Sequence, residues 1–83
     1  MAKNTDKSFL IAFGAHLKKV RVEKNITQAQ VAIDCDFDVS VISRIELGKV
    51  NTSLSNLKCI SVALQIDIKD LFDFDDSTES ETV

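Results

Sequence analysis

A short helix predicted within residues 38–47 has an outward face with an unusual set of side chains. Helical spacing places Ile42 and Ile45 together on one side of this segment. The other side carries two hydroxyls, a valine and a guanidinium, from Val39, Ser40, Ser43 and Arg44. A helix face that meets only water usually carries several charges. We therefore expect this face, with its single charge, to contact a partner.

Residues that support catalysis or bind metals are sparse in the remaining sequence. The chain of 83 residues has one histidine, His16, which we expect to be a solvated residue on the polar side of the first helix. Cys35 and Cys59 stand 24 residues apart without a CxxC pair, so no zinc site is expected. We interpret them as small buried side chains in a reducing compartment, with a redox switch as the alternative. No catalytic constellation can be assembled, and we predict no enzyme activity, no metal and no cofactor.

Helix-start signals recur along the chain and predict an all-helical fold. The predicted N-caps are Thr27, Asp38 and Asp67. The residue before each cap is apolar, and so is the residue four positions after the cap, which is the pattern of a hydrophobic staple. The three staple pairs are Ile26 with Val31, Phe37 with Ile42, and Ile66 with Leu71. A chain without proline and with only two glycines has few breaks between such segments.

Two longer amphipathic segments complete the set of predicted helices. The first begins near Asp6 or Ser8 and ends near Asn25, a residue type that accepts the left-handed conformation at a helix end. The other begins after a cap at Thr52 or Ser53. The five predicted helices therefore cover about 8–24, 28–35, 39–47, 53–64 and 68–73.

The net charge of −3 conceals an uneven distribution along the chain. Residues 73–83 hold five acidic residues and no basic one, so the preceding residues carry ten Lys and Arg against eight Asp and Glu. The composition of this end is typical of a solvated, disordered segment. No apolar run approaches the roughly 18 residues of a membrane span, and the N-terminus does not look like a signal peptide. We predict a cytoplasmic protein without membrane contact.

The second and third predicted helices are short and separated by a tight turn at 35–38, which is the spacing of a helix-turn-helix. Around them the sequence holds Gly14, Arg21, the pair Thr27-Gln28, Ala32, the string ISRIE-x-GK at 42–49 and the pair LF at 71–72. With these residues, most of 13–72 resembles the phage-repressor and Cro-like family of helix-turn-helix transcription regulators, of the xenobiotic-response-element type. The size is similar to that of controller proteins of restriction–modification systems and of small antitoxins.

The resemblance implies a compact, five-helix, lambda-repressor-like DNA-binding domain, which we place at 8–74. It leaves out an N-terminal extension at 1–7 and a tail at 75–83, whose acidic composition predicts disorder. It also implies that the second helix of the motif reads base edges in the major groove. The expected base-reading residues are Val39, Ser40, Ser43 and Arg44. Serine can donate to or accept from a base edge, valine can contact a thymine methyl group, and arginine can bind guanine with two hydrogen bonds. This is the partner that we expect for the unusual helix face.

Further positions take their expected roles from the same resemblance. The expected phosphate contacts are Gln28, Lys49, Asn51, Thr52 and Ser53. Arg21 and Glu46 match a partly buried ion pair that orients the reading helix. The turn position usually held by glycine is Asp36, which is expected to adopt a positive φ at modest cost.

One short reading helix gives a small interface, and the resemblance implies that this is solved by dimerisation on a two-fold axis, so we expect a homodimer on a palindromic operator in double-stranded DNA. Surplus apolar residues in the C-terminal half form the candidate dimer interface, although they can equally close the monomer core: Val62, Ile66, Ile68, Phe72 and Phe74. No small-molecule ligand is expected. The alternative function is an antitoxin or adaptor that uses the same fold and its apolar C-terminal half to bind a partner protein.

Overall fold

The computed structural model describes residues 5–75 of the chain, and this part contains helices and no strand. Four α-helices follow one another and precede a short 3-10 helix. They are α1 (Lys7–Glu23), α2 (Gln28–Cys35), α3 (Val39–Glu46) and α4 (Leu54–Ala63), with the 3-10 helix at Ile68–Phe72. The predicted order and positions are confirmed to within two residues.

The fifth predicted helix is not an α-helix. Its backbone closes with a hydrogen bond from the Asp70 amide to the Asp67 carbonyl at 2.9 Å, which is the three-residue step of a 3-10 helix. The Asp70 carboxylate also accepts from the Asp67 amide at 3.2 Å. A segment of five residues has too few α-type hydrogen bonds to offset the cost of helix nucleation, so the tighter turn is retained.

Short polar side chains cap all four α-helices at the N-terminus. The Thr27 hydroxyl accepts from the Gln30 amide at 3.0 Å, and the Asp38 carboxylate accepts from the Ser40 amide at 3.0 Å. Between the alternatives left open by the sequence, Asp6 caps α1 and Ser53 caps α4. Each cap satisfies an amide that has no partner within its own helix.

Three connections turn through left-handed residues that are not glycine. Asn25 has φ 60° after α1, Asp36 has φ 58° after α2, and Gln65 has φ 61° after α4. The first two were predicted from residue type. Gln65 was not, because glutamine has no strong preference for this conformation.

The core lies between all five elements and is closed by the 3-10 helix. Its fully buried residues come from every element: Leu17, Val31, Ile42, Ile60, Leu64 and Leu71. The staple residue that follows each predicted cap is among them. The staple residues that precede the caps, Ile26, Phe37 and Ile66, are partly buried and pack against the core. The same apolar residues that fix the helix starts therefore build the hydrophobic core.

The predicted N-terminal extension and acidic tail lie largely outside the described residues, which exclude 1–4 and 76–83. Within 5–75 no helix is long and apolar enough to cross a membrane.

Candidate nucleic-acid interface

The exposed face of α3 is the centre of the candidate interface. Val39 is 44% exposed and Arg44 is exposed, while Ser40 and Ser43 are half-buried between them. On the opposite side, Ile42 and Ile45 are only 1% and 2% exposed. The two isoleucines anchor α3 in the hydrophobic core. Val39, Ser40, Ser43 and Arg44 therefore project from a helix that is packed firmly on the domain.

The N-terminus of α3 carries a negative charge. Hydrogen bonds from Ser40 hold the pKa of the Asp38 carboxyl below its usual value, and the nearby positive charge of Arg44 lowers it further. Asp38 therefore stays ionised at neutral pH. Its charge opposes the positive end of the α3 dipole, so this helix end does not attract phosphate as an uncapped N-terminus does.

The turn between α2 and α3 sets the direction in which α3 leaves the motif. With Asp36 in the left-handed region, the Phe37 amide donates to the Ala32 carbonyl at 2.8 Å and the Asp36 amide donates to the Ile33 carbonyl at 3.2 Å. These bonds satisfy the last carbonyls of α2 in the manner of a Schellman motif. The chain then reaches the Asp38 cap after two residues.

A buried ion pair ties the end of α3 to α1. The Arg21 Nε atom donates to Glu46 Oε2 at 2.6 Å, and Nη2 donates to Oε1 at 3.1 Å. The two residues are only 8% and 7% exposed. Arg21 Nη1 also donates to the Ile26 carbonyl at 2.8 Å, just before α2. Three of the guanidinium donors are thus used to join α1, the α1–α2 connection and α3.

Gln28 belongs to the same network. Its Nε2 atom donates to Glu46 Oε1 at 2.9 Å, so the side chain at the first position of α2 lies against the last residue of α3. Glu46 therefore accepts from two residues with one carboxylate.

Gly14 brings α1 directly onto the backbone of α3. A Cβ atom built at this position would lie 2.4 Å from the Ile45 carbonyl oxygen and 2.5 Å from that of Glu46. No real Cβ atom is accommodated at such distances. The sequence indicated Gly14 only as a residue of the family pattern, and the contact gives its physical reason.

The other predicted phosphate contacts lie together in the connection from α3 to α4. Lys49 and Asn51 are exposed. Thr52 Oγ1 accepts from Asn56 Nδ2 at 2.9 Å, and Ser53 Oγ accepts from the Asn56 amide at 3.1 Å. Both hydroxyls thereby retain their own hydrogen for donation to an acceptor outside the domain.

The predicted dimer-interface residues divide between surface and core edge. Val62 and Phe72 are exposed, at 60% and 42%, whereas Ile66, Ile68 and Phe74 are half-buried against the core. The Phe74 ring packs against Phe9 at a centroid separation of 5.7 Å. Phe74 therefore already has a partner within its own protomer.

The expectation for His16 was wrong. This residue is half-buried, its Nε2 atom lies 2.8 Å from the Asp70 carbonyl oxygen, and its ring packs on Phe74 at 5.4 Å. A carbonyl can only accept, so Nε2 donates and His16 fastens the 3-10 helix to α1. Helical periodicity could not reveal this contact because the partner is 54 residues further along the chain.

Within 5–75 no group of three or more His, Cys, Asp or Glu residues is arranged to hold a metal ion. Cys35 is buried and Cys59 is half-buried, and both thiols are free.

Comparison with known proteins agrees with this geometry. The helix-turn-helix family model matches residues 17–71. Control protein C.BamHI of Bacillus amyloliquefaciens is 42% identical over 65 residues, which cover 77% of this chain and 80% of that protein. Control protein C.MunI of a Mycoplasma species is 46% identical over 63 residues, covering 75% and 85%. The crystal structure of the restriction-modification controller protein C.AhdI from Aeromonas hydrophila matches with a TM-score of 0.76 and 32% identity, over 78% of this chain and 98% of that chain.

Proposed function

This chain belongs to the helix-turn-helix family of DNA-binding transcription regulators, of the controller-protein type, and we propose that it binds a palindromic operator as a homodimer. Each protomer inserts α3 into the major groove and uses Val39, Ser40, Ser43 and Arg44 to contact base edges. The similar protein C.AhdI is a restriction-modification controller protein, which supports the same kind of regulatory role for this chain.

The observation that carries this proposal is the exposed α3 face on a rigidly held helix. Small and hydroxyl side chains let the helix backbone approach the bases, and Arg44 extends from the same face. The ionised Asp38 at the start of α3 repels phosphate and so favours base contacts over backbone contacts for this helix. The buried pair of Arg21 and Glu46 limits how far α3 can tilt once it meets DNA.

Two segments supply the contacts to the phosphate backbone, one before and one after α3 along the chain. In the first, Gln28 lies at the N-terminus of α2, where free backbone amides and the helix dipole favour an anion. Because its side-chain amide donates to Glu46, we assign the phosphate contact at this position to the backbone amides and to the remaining N–H of the amide group. The second segment, the connection from α3 to α4, presents one positive charge and several donors from Lys49, Asn51, Thr52 and Ser53.

Dimerisation supplies the interface area that one reading helix lacks. A specific protein–DNA interface buries on the order of 1,000–2,500 Å² of protein surface, more than a single helix of eight residues offers. A two-fold dimer with reading helices about 34 Å apart meets two half-sites on one side of the duplex. Val62 and Phe72, the exposed members of the predicted interface, are the first candidates for contacts between protomers.

Selection of bound sites from random duplexes tests the proposal. The wild-type chain is expected to enrich a sequence with two-fold symmetry. Arg44→Ala is expected to lose preference at one base pair of each half-site, weakening binding to the selected site by roughly 1–3 kcal/mol. Lys58→Ala, which removes an exposed positive charge from α4, serves as the matched control and should leave the preference unchanged.

The outcomes separate the possible roles of Arg44. Equal weakening at every sequence, with a salt dependence lower by about one phosphate contact, would make it a backbone contact. No enrichment of any duplex at low salt would overturn the proposed function.

A further inference from the structure

A side-chain hydrogen bond holds one of the predicted phosphate contacts in the connection from α3 to α4. Asn56 lies in the first turn of α4, four residues after Thr52. Its Nδ2 atom donates to Thr52 Oγ1 at 2.9 Å, and this bond is partly buried. Both residues are half-buried, so each retains access to solvent. Asn56 is thus a partner of the Thr52 hydroxyl within the protein.

The backbone around Thr52 is held in place on both sides. Before it, Val50 packs against the core, and after it Leu57 is buried within the core. The Leu57 amide also donates to the Ser53 carbonyl at 3.1 Å, in the first turn of α4. With the backbone held, the main freedom left to the Thr52 hydroxyl is rotation about χ1 among three staggered positions. The bond from Asn56 selects one of these positions.

The direction of this hydrogen bond decides what the Thr52 hydroxyl can do. The amide nitrogen of Asn56 donates, so Thr52 Oγ1 accepts and keeps its own hydrogen for a second bond. A phosphate oxygen of DNA accepts hydrogen bonds from threonine hydroxyls. The hydroxyl is therefore held in place and still able to donate to such an oxygen.

We propose that Asn56 is a positioning residue for DNA binding, which holds the Thr52 hydroxyl in the orientation that donates to a phosphate of the operator. Asn56 acts through Thr52 and does not itself contact DNA. The inference rests on the proposed function, since it names the residue that orients one of the proposed phosphate contacts.

This positioning role can be separated from the capping of α4. The cap is formed by Ser53 Oγ, which accepts from the backbone amide of Asn56 at 3.1 Å. Alanine has the same backbone amide, so Asn56→Ala retains the cap and removes the side-chain bond to Thr52. We therefore expect α4 to remain in place in this variant, and circular dichroism verifies that it is folded.

The orientation of Thr52 is tested without DNA, by NMR three-bond coupling constants that report its χ1 angle. The wild-type chain should show one staggered position, and Asn56→Ala should show averaging over two or three. Ser55→Ala, at the neighbouring exposed position of α4, is the matched control and should leave the Thr52 couplings unchanged. A single, unchanged χ1 position in Asn56→Ala would overturn the proposal.

The affinity for the selected duplex measures the consequence for DNA binding. If one of three hydroxyl positions is productive, Asn56→Ala should raise the dissociation constant by about threefold for each protomer bound. A phosphate contact carries no sequence information, so the affinity for an unrelated duplex should fall by the same factor. Ser55→Ala should bind both duplexes as the wild-type chain does.

A double-mutant cycle shows whether the effect passes through the Thr52 hydroxyl. Thr52→Val, which replaces the hydroxyl by a methyl group, should weaken binding more than Asn56→Ala does, because the donor itself is lost. In the Thr52→Val background, Asn56→Ala should cause no further loss. An equal loss with and without the hydroxyl would overturn the proposal, because a purely structural effect of Asn56 does not depend on Thr52.

The same measurements distinguish failure of this proposal from failure of the proposed function. Operator binding by the wild-type chain together with unchanged affinity in Asn56→Ala would overturn the positioning role alone. Absence of DNA binding by the wild-type chain would overturn the proposed function and with it the contact to phosphate. The coupling constants would then still decide whether Asn56 orients Thr52.

Discussion

At the scale of single residues, Glu46 is a charged residue that lies buried beside the guanidinium of Arg21. The residue is 7% exposed, and its carboxylate accepts hydrogen bonds from both Arg21 and Gln28. Such a pair adds little net stability over a well-packed apolar pair, because both charges lose their hydration. Removal of one partner is costly, because the other charge then remains buried without a counter-charge.

Glu46→Ala is therefore expected to lower the free energy of unfolding by about 3–5 kcal/mol. Gln28→Ala, which leaves the ion pair intact, is expected to lower it by only about 1 kcal/mol. Urea unfolding followed by circular dichroism measures both changes. Similar losses for the two variants would show that the charge itself is not the dominant contribution.

The enclosed thiol of Cys35 makes stability depend on pH at the alkaline end. In the unfolded chain a thiol with the ordinary pKa of 9.0 loses its proton as the pH rises past 9, whereas the native thiol, with its pKa raised to about 12, keeps it. The unfolded state then binds fewer protons than the native state, so the free energy of unfolding falls with rising pH between these values. Urea unfolding of the wild-type chain should show a steeper fall above pH 9 than Cys35→Ala. Parallel curves would exclude the burial of this thiol as the cause.

At the scale of helices, the sequence defines where each one starts better than what each one touches. Caps at Thr27 and Asp38 and the staple residues are local signals within four or five positions, and the structure has each helix where they indicate. The 3-10 geometry after Asp67 was missed because the cap and staple pattern is the same for both helix types. Contacts across the fold, such as His16 with the Asp70 carbonyl, leave no local signal.

In the proposed DNA-contact face, too, the sequence predicts local features but not contacts between distant residues. The exposure of Val39 and Arg44 could be predicted from helical spacing, because Ile42 and Ile45 had to face the core. The bond from Gln28 to Glu46 could not, since it joins residues 18 positions apart. Whether these side chains contact DNA remains a prediction for the selection experiment.

The crossing of α1 and α3 at Gly14 provides a test in which two effects have opposite signs. In an exposed helix, replacement of glycine by alanine stabilises by about 1 kcal/mol. Here the new methyl group would press on the Ile45 and Glu46 carbonyl oxygens, and backbone displacement typically costs about 1–3 kcal/mol. We expect Gly14→Ala to lower the melting temperature and also to weaken operator binding, because α3 is displaced.

Ala15→Gly, at an exposed position of the same helix, provides the reference for helix propensity alone. It should lower the melting temperature without a comparable loss of DNA affinity in the folded protein. A higher melting temperature for Gly14→Ala would show that the helices separate at little cost.

At the scale of the whole molecule, Val62 and Phe72 are the exposed members of the predicted dimer interface. Val62 is 60% exposed on α4, so a charged residue there costs the isolated protomer little. We expect Val62→Glu to raise the dissociation constant of the proposed dimer at least tenfold, because each protomer would then bring a charge into the proposed apolar interface. Analytical ultracentrifugation across a range of concentrations measures this change.

Ile33→Glu is the matched control, since Ile33 is 72% exposed on α2, outside the predicted dimer interface. It should leave the dissociation constant of the proposed dimer unchanged. If Ile33→Glu separates the protomers and Val62→Glu does not, the interface lies on the other side of the domain.

The phenylalanines near the end of the described residues have a consequence for how quickly the proposed dimer can exchange its protomers. Phe74 packs against Phe9 of its own protomer and Leu71 fills its own core, while Phe72 keeps 42% of its surface exposed. Because each protomer completes its interior alone, we expect a proposed dimer joined through Phe72 to dissociate and re-form with other protomers without unfolding. Mixed labelled and unlabelled populations would then scramble at the speed of subunit exchange, and newly synthesised copies would enter existing pairs.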